Sequence, residues 1–134
     1  MFITRKPIIV EQLKEGVTYT ECGALCTFEG RVRDTHTRKR VITLIYEAYR
    51  QCAEIEFKNI ECELRQKYPS IHIRAEHRIG ELHVGEIAVA ICIWAPHRKE
   101  AFLACEYMID EIKKRVPMWK HEYYEDSTEC WVEC

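Results

Sequence analysis

Eight consecutive residues, Ile87-Ala-Val-Ala-Ile-Cys-Ile-Trp94, are all apolar in a chain of which 31% of residues are charged. A segment apolar on both faces cannot stand half in water, so it predicts a buried central strand. The rest of the chain must supply the layers that cover it. Two stretches have the right period. Residues 51–68 carry apolar or aromatic side chains at 53, 57, 60, 64 and 68, which trace one face of a helix that Pro69 ends. Residues 98–116 repeat the pattern through Ala101, Cys105, Met108, Ile109, Ile112 and Val116, with Pro117 as the stop. Lys113 follows Ile112 by one position, about 100° round the helix, and so flanks the apolar stripe.

Shorter signals fill the remainder. Residues 10–15 suit a short helix stopped by Gly16. Residues 23–33 alternate as a strand. A polar stretch at 34–40 separates them from a second strand at 41–49, as a long hairpin loop would. Residues 71–79 predict a third strand, turned by Gly80 and Gly85, and residues 119–124 and 129–133 read as extended. Two long helices with strands in mixed order predict an α+β fold, a single domain over 1–134 with a mixed or antiparallel sheet.

Composition removes several function classes. No apolar run approaches the ~20 residues of a membrane span, and the first residues lack the apolar core of a signal peptide; a cytoplasmic location is expected. A net charge of −2 with no dominant basic stripe argues against nucleic acid. Eight cysteines in 134 residues fall short of a disulfide scaffold and read as thiols, many of them packed as small hydrophobes. Cys22/Cys26 and Cys130/Cys134 share a C-x3-C spacing. If the first pair is extended, its ends lie about 13 Å apart at ~3.3 Å per residue, too far for one zinc ion with ~2.3 Å bonds to sulfur. No metal or cofactor is expected. Loops or helices of the types Gly-x-x-x-x-Gly-Lys-Ser/Thr, His-Glu-x-x-His, Gly-x-Ser-x-Gly and Cys-x-x-Cys are all absent.

What remains is a set of cations at element boundaries. Arg33 ends the first long strand, His97 and Arg98 open the second long helix, and Lys113 and Lys120 bracket Pro117. A helix N-terminus favours anions, and boundaries are where such folds hold ligands. Taken singly, each also fits a solvated surface role. Trp119 and Phe28 read as core residues, with a wall for a flat ring as the alternative.

Five segments, in order, resemble the large subunit of molybdopterin synthase: Gly23-Ala-Leu-Cys-Thr-Phe-Glu-Gly-Arg-Val-Arg33; Leu44-Ile-Tyr-Glu-Ala-Tyr49; His77-Arg-Ile-Gly-Glu-Leu82 with Val84-Gly-Glu86; His97-Arg98 with Ala101-Phe102; and Ile109-Asp-Glu-Ile-Lys113 leading to Val116-Pro-Met-Trp-Lys-His-Glu122. The resemblance implies a hammerhead-like α/β fold. It also implies an enzyme that installs the dithiolene sulfurs of molybdopterin on cyclic pyranopterin monophosphate. The sulfur comes from a thiocarboxylate on the C-terminal Gly-Gly of a small ubiquitin-like subunit. A homodimer inside a heterotetramer is implied too. Carried over residue by residue, the substrate site draws on Arg31, Val32, Arg33, His97, Arg98, Lys113, Lys120, His121 and Glu122, with Lys113 and Lys120 catalytic.

The residue types suit that chemistry. Arginine presents a planar fork to phosphate oxygens, with His97 as a further donor. A lysine ammonium gives up its proton more readily beside other cations or in a dry pocket, or while charged steadies an oxyanion. Since sulfur arrives on the partner, no nucleophilic cysteine is needed here. The chain departs from the family at Cys52-Ala53, in the segment 124–130 before Trp131, and in ending at Cys134 with little of the C-terminal extension many relatives carry, which bears on the outer rim of the pocket if that extension supplies a residue to it. A non-catalytic adaptor for the tail of a ubiquitin-like protein is the competing reading; a phosphate-binding domain of unrelated chemistry is a third.

Overall fold

The computed structural model describes residues 1–133, arranged as β1 (Ile3–Thr4), α1 (Val10–Lys14), β2 (Ala24–Arg31), β3 (Thr35–His36), β4 (Lys39–Ala48), α2 (Arg50–Lys67), β5 (His72–Arg78), β6 (Gly80–His83), β7 (Ile87–Ala95), α3 (Arg98–Arg115), β8 (Met118–Tyr124) and β9 (Glu129–Glu133). Cys134, and with it the second C-x3-C spacing, lies outside the described residues. The fold is α+β as expected, but its strands form two sheets, one of order β1-β5-β7-β2 and a five-stranded one running β3-β4-β8-β9 with β6 on β4.

β7 is the buried centre of the first sheet, antiparallel to β5 on one side and to β2 on the other. Residues 88–95 are all buried. That follows from cover on both faces. The stripes of α2 (Ala53, Phe57, Ile60, Leu64) and α3 (Ala101, Cys105, Met108, Ile112) pack into the main core. On the other face α1 closes a smaller cluster of Ile8, Leu13, Ala90, Cys92 and Trp94. At ~25 cal/mol per Å² of apolar surface, each large stripe residue contributes about 1.5–3 kcal/mol.

Expectation and structure part company at residues 34–40. β2 does not form a hairpin with β4; after Arg31 the chain leaves the first sheet and enters the second through a tight β3–β4 hairpin, Thr35 opposite Arg40 and His36 opposite Lys39. The two turn residues, Thr37 and Arg38, both have positive φ, the conformation such two-residue turns demand. No Asn-Gly pair announces it, which is why the sequence suggests a long loop. β4 then pairs with β6 along one edge and β8 along the other.

Candidate functional site

α3 decides where the cations stand. Its 18 residues rise 1.5 Å each, so Arg98 and Lys113 are about 22 Å apart along the axis. The five boundary cations therefore fall into two groups within one chain. His97 and Arg98, both exposed, sit where β7 ends and α3 begins. Lys113 sits in the last turn, beside the start of β7. Arg33 follows β2 at that same end, since Arg31 pairs with Ile87 and Val32 bonds to the backbone of Gly85 and Glu86.

At this end Lys113 lines a narrow apolar recess with His77, Val89, Ile109, Ile112 and Met118, and borders an open cleft of about 410 Å³ with Tyr49, Pro117, Met118 and Trp119. Met118 is buried. Strand alternation sends Met118, Lys120, Glu122 and Tyr124 to one face of β8. Lys120 thus lies two residues, about 7 Å, along the strand from the residue that floors the Lys113 recess. Tyr46 pairs with Lys120 across β4 and β8, and its ring meets His77 edge-on at 5.0 Å. Met118 thus lines the Lys113 recess two residues before Lys120, and Tyr46, the strand partner of Lys120, touches His77 of that recess.

Lys120 has a built environment. Its Nζ lies 3.4 Å from Glu122 Oε2, and the side chains are only 20% and 3% exposed. Tyr124 donates its hydroxyl to Glu122 Oε1 at 2.8 Å, and His36 Nδ1 binds the same oxygen. Burial by itself pushes the Glu122 carboxyl up. The bonds from Tyr124 and His36 and the charge of Lys120 outweigh it and hold the group below its usual range. Burial and the same carboxylate push the Tyr124 phenol to about 12. His77 is the opposite case: burial, with help from the Lys113 charge, lowers it to about 4, so the ring is neutral at pH 7. His77 Nδ1 and the Arg78 carbonyl are 2.8 Å apart, which fixes the tautomer with Nδ1 as donor.

Ion pairing separates the basic residues within each cluster. Arg31 is engaged by Glu29, Lys39 by Asp126 and Lys114 by Glu111, and Arg115 bridges to Glu56, Glu63 and Glu111. The Arg115 guanidinium, then the Tyr107 hydroxyl, hold the Glu63 carboxyl down at about 2. Among the described residues, Arg33, His97, Arg98 and Lys113 make no ion pair. Arg31 and Val32 belong to the frame, Val32 within the core. His121 faces away from Lys120, stacked on Tyr123 and in tilted contact with Trp131. Phe28 packs on the core, while Trp119 lies edge-on to Tyr49 at 5.0 Å and lines the cleft. His36, Tyr46 and Tyr124 carry no signal in the sequence, because they reach the site through non-local strand pairing. Of the described cysteines, Cys92 and Cys105 are buried and Cys22 and Cys26 half-buried, whereas Cys52, Cys62 and Cys130 are exposed.

Comparison with known proteins supplies the relatives. A family model described as MoaE protein matches residues 3–115. The molybdopterin synthase catalytic subunit of Bacillus subtilis is 42% identical over 130 residues, 97% of this chain and 82% of that protein. A crystal structure of molybdopterin synthase from Staphylococcus aureus is similar with a TM-score of 0.90 at 39% identity, over 97% of this chain and 94% of that one. A chain from the complex of subunits 1 and 2 of molybdopterin-converting factor from Helicobacter pylori, at 19% identity and a TM-score of 0.79 over 97% and 88% of the two chains, shares the fold.

Proposed function

The chain belongs to the MoaE protein family, whose relatives are molybdopterin synthase catalytic subunits, and from that premise we propose how its two groups of cations carry out sulfur transfer. It is a sulfurtransferase of molybdenum-cofactor biosynthesis. It works with a small ubiquitin-like subunit, in the cytoplasm, on cyclic pyranopterin monophosphate. The thiocarboxylate tail of the small subunit enters the cleft between Tyr49, Trp119 and Lys113; its sulfur attacks a substrate carbon as an oxygen leaves, and water then cleaves the acyl–sulfur bond, which leaves the sulfur on the product and returns the tail as a carboxylate.

The observation that carries this reading is a pair of differently prepared lysines near the C-terminal end of α3, Lys113 on the recess and Lys120 two residues along β8 from the Met118 that lines it. Lys113 has no carboxylate partner among the described residues, so its charge is available to the anionic tail. Lys120 is held by buried Glu122, His36 and Tyr124. Lys113 is therefore assigned to steadying the oxyanion of the tail carbonyl. Lys120, placed beside the Glu122 carboxylate, is assigned to proton delivery as oxygen leaves the substrate. Arg33 anchors the phosphate at the same end through charge-assisted bonds, each contributing about 1.5–3 kcal/mol.

His97 and Arg98 are too far along α3 to serve the same chain's recess. They serve a second protomer, and a homodimer that sets the α3 N-terminus of one chain against the Lys113 end of the other completes each site. The test is reconstitution with thiocarboxylated small subunit and cyclic substrate. Lys113→Ala and Lys120→Ala are expected to fold normally and lower turnover at least a hundredfold, and Arg33→Ala to raise KM. Parental turnover in both lysine variants overturns the assignment.

A further inference from the structure

A second cluster of chemically distinctive side chains lies at the other end of the first sheet. Glu21 and Cys22 stand in the turn before β2 and His72 opens β5; one ligand-type atom from each lies within 4.8 Å of the others. His72 pairs with Trp94, while the Lys113 recess is at Val89 and His77. Five residues of strand, about 17 Å, separate the two.

The cluster is held in shape from outside. The His72 ring stacks on Tyr19 at 3.7 Å and 5°, and Tyr19 stands edge-on to Trp94 at 5.3 Å. The turn is pinned by Cys22 N–H to the Tyr19 carbonyl at 3.0 Å and Gly23 N–H to the Pro96 carbonyl at 3.2 Å. A Cβ on Gly23 would lie 3.0 Å from that Pro96 oxygen, so the approach is close. His72 Nε2 is already 2.7 Å from Glu21 Oε1.

We propose that Glu21, Cys22 and His72 form a zinc site with three protein ligands and a water in the fourth position. One sulfur, one imidazole nitrogen and one carboxylate oxygen form a donor set suited to Zn²⁺; magnesium and calcium take oxygen ligands. Tetrahedral bonds of ~2.0–2.3 Å put ligand atoms about 3.3–3.8 Å apart, so the present spacing closes with side-chain adjustment alone. The cation replaces the His72–Glu21 hydrogen bond and releases the thiol proton to solvent. It ties the turn before β2 to β5. Strand geometry rules out Cys26 as the partner of Cys22, and Cys26 packs against the main core. The partners of Cys22 come instead from its neighbour and from a strand 50 residues on.

The full chain, stripped with a chelator, is titrated with Co²⁺ as a spectroscopic probe. One equivalent is expected to bring up a near-ultraviolet thiolate–cobalt band that Zn²⁺ displaces, with a rise in Tm for the zinc form. Cys22→Ser should abolish the band, and Glu21→Gln and His72→Ala should weaken binding at least tenfold. Cys130→Ser, which removes an exposed thiol elsewhere, should leave it unchanged. If Cys22→Ser does not fold by circular dichroism, His72→Ala decides alone. No thiolate band at one equivalent overturns the site, as does a band that survives Cys22→Ser, which means adventitious binding at exposed thiols.

Discussion

Glu122 shows how much one buried carboxylate can organise. Only 3% of its side chain is exposed, and it gathers His36, Tyr124 and Lys120. Glu122→Gln keeps the shape and removes the charge, so Lys120 loses its ionic partner. A charge-assisted bond contributes about 1.5–3 kcal/mol, which predicts a kcat about 10- to 100-fold lower with KM little changed; an equal loss in KM would mean that Glu122 binds substrate instead. His77 gives a pH prediction with a definite sign. Its folded-state value is about 4 against about 6.5 unfolded, so between those limits the unfolded chain holds the extra proton. Stability is full above pH 6.5 and falls as the pH drops toward 4, by at most about 3 kcal/mol. Denaturant melts at stepped pH check this, and His77→Phe should flatten that part of the curve.

Among elements, what the sequence told depended on whether the signal was local. The stripes of α2 and α3 were readable because residues three and four apart share a face, and the fully buried Phe57, Ile60, Leu64 and Met108 are those the period selects. β7 was readable because it has no polar face. The split into two sheets was not, since it depends on β2 pairing with β7 more than 50 residues away and on β4 pairing with β8. The same limit governs the site. Lys113 and Lys120 stand out beside Pro117, whereas His36 and Tyr46 join them only through strand register. Gly30 is the tightest point of that register: an added Cβ would meet Val89 Cγ1 at 2.6 Å, where the β2–β7 ladder shifts. Gly30→Ala should therefore cost about 1–3 kcal/mol of stability by overpacking. A denaturant midpoint equal to that of the parent would show that β7 yields there.

At the scale of the whole molecule, α3 is a spacer. It keeps Lys113 and Arg98 about 22 Å apart, so under the proposed function one chain supplies half a site at each end and a symmetric pair of chains completes two. Neither half is occupied by the ion pairs that engage Arg31, Lys114 and Arg115. Among the described residues no helix is long and apolar enough to cross a membrane, and both ends of α3 carry exposed cations. The most direct measurement mixes equal amounts of two inactive variants, Lys113→Ala and Arg98→Ala, after subunit exchange, and follows product formation with the small subunit and substrate. If each site takes its lysines from one protomer and its Arg98 from the other, hybrids carry one intact site, and the mixture recovers about a quarter of parental activity. A mixture no more active than either variant alone would contradict the account.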